Sequence, residues 1–133
     1  MDPAQAGKYY KVAQSLAQAA TDLAEVADDG DAYGNAMAIV SVHSAIAYGD
    51  ALCIAFGGFK STEGEHVAAV DVLADALGNR APPDQIHQFR SILAEKDTIA
   101  YQGTFYTVVD ARKVVSRLRA FADWAQTMYE QRP

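Results

Sequence analysis

The apolar positions of this chain follow a helical period almost from end to end, and they are densest in residues 31–57. Met37, Ile39, Val40, Val42, Ile46, Leu52, Ile54 and Phe56 fall on nearly every side of a helical wheel there, with no proline and with Gly34 and Gly49 isolated among them. A helix that is apolar all round is buried on most of its circumference. At 1.5 Å per residue it would be about 40 Å long, enough to run the height of a small domain.

Four further helices flank this rod. Residues 3–28 place Tyr9, Val12, Ala13, Leu16, Ala20, Leu23 and Ala27 on one face. Pro3 suits the first turn and Asp2 the N-cap, and Gly30 is the expected left-handed stop, with Asp31 capping the central helix. Residues 63–77 follow a capping box at Thr62–Glu65 and align His66, Val70, Leu73 and Leu77. Residues 83–101 put Ile86, Phe89, Ile92, Leu93, Lys96 and Ile99 on an inner stripe. Residues 108–130 bury Val108, Ala111, Val115, Leu118, Phe121 and Ala125, and turn Arg112, Lys113, Arg117 and Arg119 outward. Short links imply antiparallel neighbours. The expected fold is a single all-α domain over 1–133, an up-and-down bundle of five helices.

Composition narrows the function classes. Half of the 133 residues are apolar, which suffices for one core. The formal charge of −6 argues against generic nucleic-acid binding by bulk charge. The longest uninterrupted apolar run is short for a membrane span, and the first ten residues show no basic flank leading into an apolar segment. One cysteine, Cys53, excludes an internal disulfide. A cytoplasmic protein with no membrane association and no cofactor is the expectation.

The candidate chemistry lies in polar residues on apolar stripes. His43 and Asp50, seven residues apart, lie within roughly 20° of each other on the central helix. An acid there needs a partner, because an unpaired buried charge is costly. Lys96, on the inner stripe of the fourth helix, is the expected partner, with Tyr101 or Tyr48 as flanking hydrogen-bond groups. Two readings follow: a pair that fixes helix register, or a pocket with a perturbed lysine or carboxylate. His66, near a helix N-terminus, is either a core donor or a catalytic group. His43, His66 and His87 occupy three helices without metal-ligand spacing, so no metal site is expected. Tyr101, Phe105 and Tyr106 cover a bundle end or form a ligand lid. The basic face of the last helix is a solvated surface or an RNA phosphate contact.

With these residues placed, the chain resembles the HEPN superfamily of small prokaryotic helical domains. The resemblance rests on H-S-A-I-A-Y-G-D-A-L (residues 43–52), G-G-F-K-S (57–61), the opening of the third helix at His66, I-L-A-E-K-D-T-I-A-Y (92–101) and D-A-R-K (110–113). It implies a bundle of four or five helices, often paired as a homodimer. Many members are metal-independent RNases of toxin–antitoxin or defence systems, with an arginine that holds phosphate and, after four to six intervening residues, a histidine that moves protons. The one match here is Arg80 and His87, but Ala81-Pro82-Pro83 follows the arginine and places it in a connector. Lys96-x4-Tyr101 stands where the motif would be expected, and tyrosine is no base at neutral pH. The resemblance therefore points to a non-catalytic, homodimeric module. It would bind a protein partner or a nucleotide-like anionic ligand through the His43, Asp50, His66, Lys96, Tyr101 cluster. The alternative is an RNase using Arg80 and His87.

Overall fold

The computed structural model describes residues 2–60 and 66–133, the side chains of 66 and 67 excepted. Five helices appear: α1 (Ala6–Val26), α2 (Gly34–Gly57), α3 (His66–Leu77), α4 (Pro83–Ala100) and α5 (Val108–Glu130). Short 3-10 turns at Pro3–Gln5 and Gly78–Arg80 precede α1 and follow α3, and there is no strand among the described residues. The all-α expectation and the helix count hold.

α2 packs against each of the other four helices, which no other helix does among the described residues. Its apolar circumference makes this possible: Met37, Val42, Leu52 and Ile54 are all fully buried. By length and composition α2 would also suffice to cross a bilayer, but most of that stretch is buried against the other helices.

α1 meets α2 through Ala6, Ala13, Ala20 and Ala27, buried at seven-residue spacing. Methyl side chains allow a close approach, and Ser44 Oγ donates to the Ala13 carbonyl at 2.8 Å. The predicted inner stripe of α1 is thus rotated, and Val12 lies 51 % exposed.

The topology departs from strict alternation over five helices, which would make α2 and α4 parallel. At one end of the bundle Asn35 Nδ2 donates to the Thr104 carbonyl, and the Tyr106 amide donates to Asn35 Oδ1, each at 2.8 Å. Nearer the other end Gly49 abuts Phe89, and the Arg80 guanidinium lies over the Phe56 ring. α4 therefore runs antiparallel to α2, and the short α3 is an insertion in their connection. α5 is antiparallel to α1 and to α4, since Arg112 reaches Ala24, Tyr10 stacks on Tyr129, and Phe121 stacks on Phe89 at 5.0 Å. The up-and-down frame is α1, α2, α4 and α5.

Two close approaches set its register. A Cβ added at Gly34 would sit 2.0 Å from the Tyr106 carbonyl oxygen, and one at Gly49 would sit 2.7 Å from Phe89 Cζ. Only glycine admits the connector backbone and the Phe89 ring so near the axis of α2.

Several predicted caps are corrected. α1 ends at Ala27 in extended backbone, and Gly30 is not left-handed; positive φ occurs at Gly58, Gly78 and Gly103. The Asp31 carboxylate accepts from the Asp28 amide at 2.8 Å rather than capping α2, whose N-cap Tyr33 makes no side-chain cap bond. The Asp2 cap holds, for the first 3-10 turn, by accepting from the Ala4 amide. The expected capping box over 62–65 lies outside the described residues.

Gly49→Ala is expected to cost about 1–3 kcal/mol, as overpacking does in a filled core, with Gly34→Ala at least as costly. Gly30→Ala, whose added methyl meets nothing within 4 Å, should change stability by less than about 0.5 kcal/mol. Urea denaturation measures all three. Equal midpoints for the Gly49 and Gly30 variants would mean that Phe89 yields without penalty.

Candidate functional site

The residues expected to form one polar cluster do not converge. The Gly49–Phe89 contact fixes where α4 crosses α2. Lys96 lies two helical turns beyond Phe89, and α4 is antiparallel, so Lys96 sits roughly 10 Å from the level of Asp50, towards the start of α2. Asp50 and Lys96 are both half-buried, and the described residues contain no ion pair between them. The expected pair is replaced by a different cation: Lys60, in the turn after α2, acts on Asp50. Lys60 also lies over the Tyr9 ring, 5.6 Å from its centroid. Burial outweighs that attraction and pushes the Asp50 carboxyl up to about 6. Burial, with Asp50 one turn away, pushes the buried Cys53 thiol up to about 12.

Tyr101 caps the C-terminus of α4 beside the start of α2 and is 80 % exposed. About fifteen residues of α2, roughly 20 Å of helix, separate that level from Asp50. His43 is exposed on α2 rather than facing a neighbouring helix. His66 opens α3, and its side chain lies outside the described residues.

The pair considered for RNase chemistry is not joined by a hydrogen bond or ring contact among the described residues. Arg80 stacks on Phe56 from the 3-10 turn after α3. His87 is exposed on α4 and forms no hydrogen bond or ion pair among the described residues. Nothing there joins a phosphate-binding cation to a proton-transfer group within one chain.

The polar side chains that do meet were not grouped by the sequence. The Glu95 carboxylate accepts from Arg117 Nη2 at 2.8 Å and from the Tyr106 hydroxyl, and Arg117 Nη1 also reaches Ser91 Oγ. Burial, and then donation to Glu95, push the Tyr106 phenol up to about 12. Arg112 pairs with Asp29 and donates to the Ala27 carbonyl at 2.6 Å, tying α5 to the end of α1. The predicted outward basic face is therefore halved: Arg112 and Arg117 serve packing, while Lys113 and Arg119 remain exposed. The available signal was the one-turn spacing of Ser91 and Glu95, but nothing in a single helix reveals the guanidinium that joins them.

Between α1 and α5 lies a polar cleft of about 270 Å³ lined by Gln14, Gln18, Thr21, Arg119, Asp123 and Gln126. At its floor Gln126 Nε2 donates to the buried Tyr48 hydroxyl at 3.0 Å. These groups can exchange hydrogen bonds with a solute, but they include no nucleophile held by a base. Among the described residues no three His, Cys, Asp or Glu side chains are grouped to hold a metal ion. Comparison of the chain with protein-family models, curated proteins and solved structures gives no match.

The Asp50 environment makes stability depend on pH. Its folded pKa is raised from 3.8 to about 6, so folding favours the neutral acid. The stabilisation is full below about 3.8 and is lost as pH rises through about 6. Asp50→Asn should therefore be more stable than the parent at pH 7, by about 1 kcal/mol after discounting for solvent screening, and equal to it near pH 3. Thermal melts at both pH values test this. A loss at pH 7 would show that the Lys60 attraction outweighs burial.

Proposed function

We propose that the chain is a non-catalytic helical interaction module of HEPN type that works as a homodimer, with one face of α2 as the contact between copies. The observation that carries this reading is the incomplete cover of α2. Ser44 faces α1, Tyr48 faces α5 and Gly49 faces α4. At 100° per residue the remaining sector holds positions 36, 39, 43, 47, 50, 54 and 57; Ala47 and Ile54 are buried and Gly57 meets Ala76 of α3, so the sector is open along its first half only. Ala36 and His43 are exposed there, and Ile39 is half-buried, as are Val40 and Ile46 on its borders. The other sides of α2, and the second half of this one, meet helices of the same chain.

A two-fold contact sets the same patch against itself. Such a patch must avoid a cluster of like charge, since each charge meets its own copy. The α2 sector meets this condition, with Asp50 at its end and otherwise only apolar residues and His43. The resemblance to HEPN domains, which are often homodimers, supports the same reading, as does the all-helical architecture. The engagement of Arg80 with the Phe56 ring, with His87 exposed on α4, favours binding over RNA cleavage. Among the described residues Lys96 is not joined to the other members of the expected cluster, which favours a protein surface as the partner class.

Light scattering coupled to size exclusion should give twice the chain mass of 14.3 kDa. His43→Glu, which brings two carboxylates together at the centre of the contact, should give the monomer mass with unchanged helical circular dichroism. A parent chain that runs as a monomer at micromolar concentration would overturn the reading, and so would a His43→Glu variant that stays dimeric.

A further inference from the structure

The exposed large apolar side chains are not scattered. Seven are found among the described residues, and five of them, Val26, Tyr33, Tyr101, Phe105 and Val109, stand at one end of the bundle. The two connectors that build this end are joined, since the Gly34 backbone presses on Tyr106 and Asn35 bonds to both Thr104 and Tyr106. Tyr101 and Phe105 are 80 % and 69 % exposed. Aromatic rings held this far into water on an ordered connector are unusual on a monomer surface and mark contact sites.

The charge at this end is net acidic. Residues 26–33 and 101–113 carry four carboxylates, Asp28, Asp29, Asp31 and Asp110, against Arg112 and Lys113. Arg112 is committed to Asp29, which leaves Lys113 facing three acids. Beside Phe105 a cavity of about 240 Å³ opens, with Thr104, Asp110, Lys113 and Val114 on its walls and the Glu95–Arg117–Tyr106 network lining it. A long side chain with an apolar stem and a cationic head fits such a socket, its stem on Phe105 and Val114 and its head at Asp110.

We infer that this end of the bundle docks a protein segment in which apolar side chains are interspersed with lysine or arginine. The surface is separate from the α2 sector given to the homodimer. Its acidity opposes nucleic-acid phosphates and anionic bilayers, both of which select basic patches. A second copy of this chain is a poor occupant, because the acidic end would meet itself.

The probe is a fluorescein-labelled amphipathic Leu/Lys peptide, with a Leu/Glu peptide of the same pattern as comparator, titrated with the full chain and read by fluorescence anisotropy. The Leu/Lys peptide should bind, more weakly as salt rises, and the Leu/Glu peptide should not. Tyr101→Ser combined with Phe105→Ser should weaken binding at least about tenfold, as loss of aromatic anchors does. Both side chains are exposed, so circular dichroism should be unchanged. Asp28→Asn with Asp110→Asn should weaken binding and flatten its salt dependence. His43→Glu should leave binding intact, which separates this surface from the dimer contact. Equal binding of the two peptides would overturn the inference, as would full affinity in the Tyr101/Phe105 variant. A drop in that variant's oligomeric mass would do so too, by assigning the aromatic end to contact between copies.

Discussion

The fold depends on how closely two pieces of chain come to the axis of α2. Gly34 admits the backbone at Tyr106 and Gly49 admits the Phe89 ring, and at neither place is there room for a methyl group. Glycine within a helix costs roughly 0.5–1 kcal/mol relative to alanine through lost backbone entropy. Here the cost is offset by packing that nothing larger would allow. The two contacts lie fifteen residues apart on α2, and together they set both the height and the direction of the α4–α5 hairpin. The stack of Phe89 on Phe121 then carries the same register into α5.

Much of this was legible along the chain. The helix spans follow from hydrophobic period, and α2 stands out as central because its apolar residues cover nearly the full wheel. Register was not legible. Matching Asp50 with Lys96 assumed that polar residues on facing stripes find one another, whereas steric fit at Gly49 chose the alignment and placed Lys96 about two turns away. The glycines were visible as isolated residues in an apolar helix, but a single chain does not say what presses on them. The same gap hid Glu95 and Arg117, which lie 22 positions apart on different helices. Direction was misjudged for a related reason: α3 is too short to span the bundle, so it does not reverse the chain as a full helix would.

Polar chemistry in this protein is spent largely on joining elements. Arg112 fastens the end of α1, Arg117 fastens α4 through Ser91 and Glu95, Ser44 fastens α1 to α2, and Asn35 fastens the last connector. Each replaces water around a group that packing would otherwise strand, which is the condition for burying polar atoms at all. Apolar side chains, by contrast, are left over on the outside.

The placement of Cys53 has a practical corollary. Its sulfur lies inside the one helix that every other helix grips, and its thiolate is suppressed at neutral pH by burial and by the neighbouring acid. Alkylating reagents consume thiolate, so the folded chain is shielded twice, by access and by protonation. Because α2 cannot loosen without releasing its four neighbours, labelling at this single sulfur registers opening of the whole bundle and not local fraying. The molecule thus carries its own chemical clock for the lifetime of the folded state.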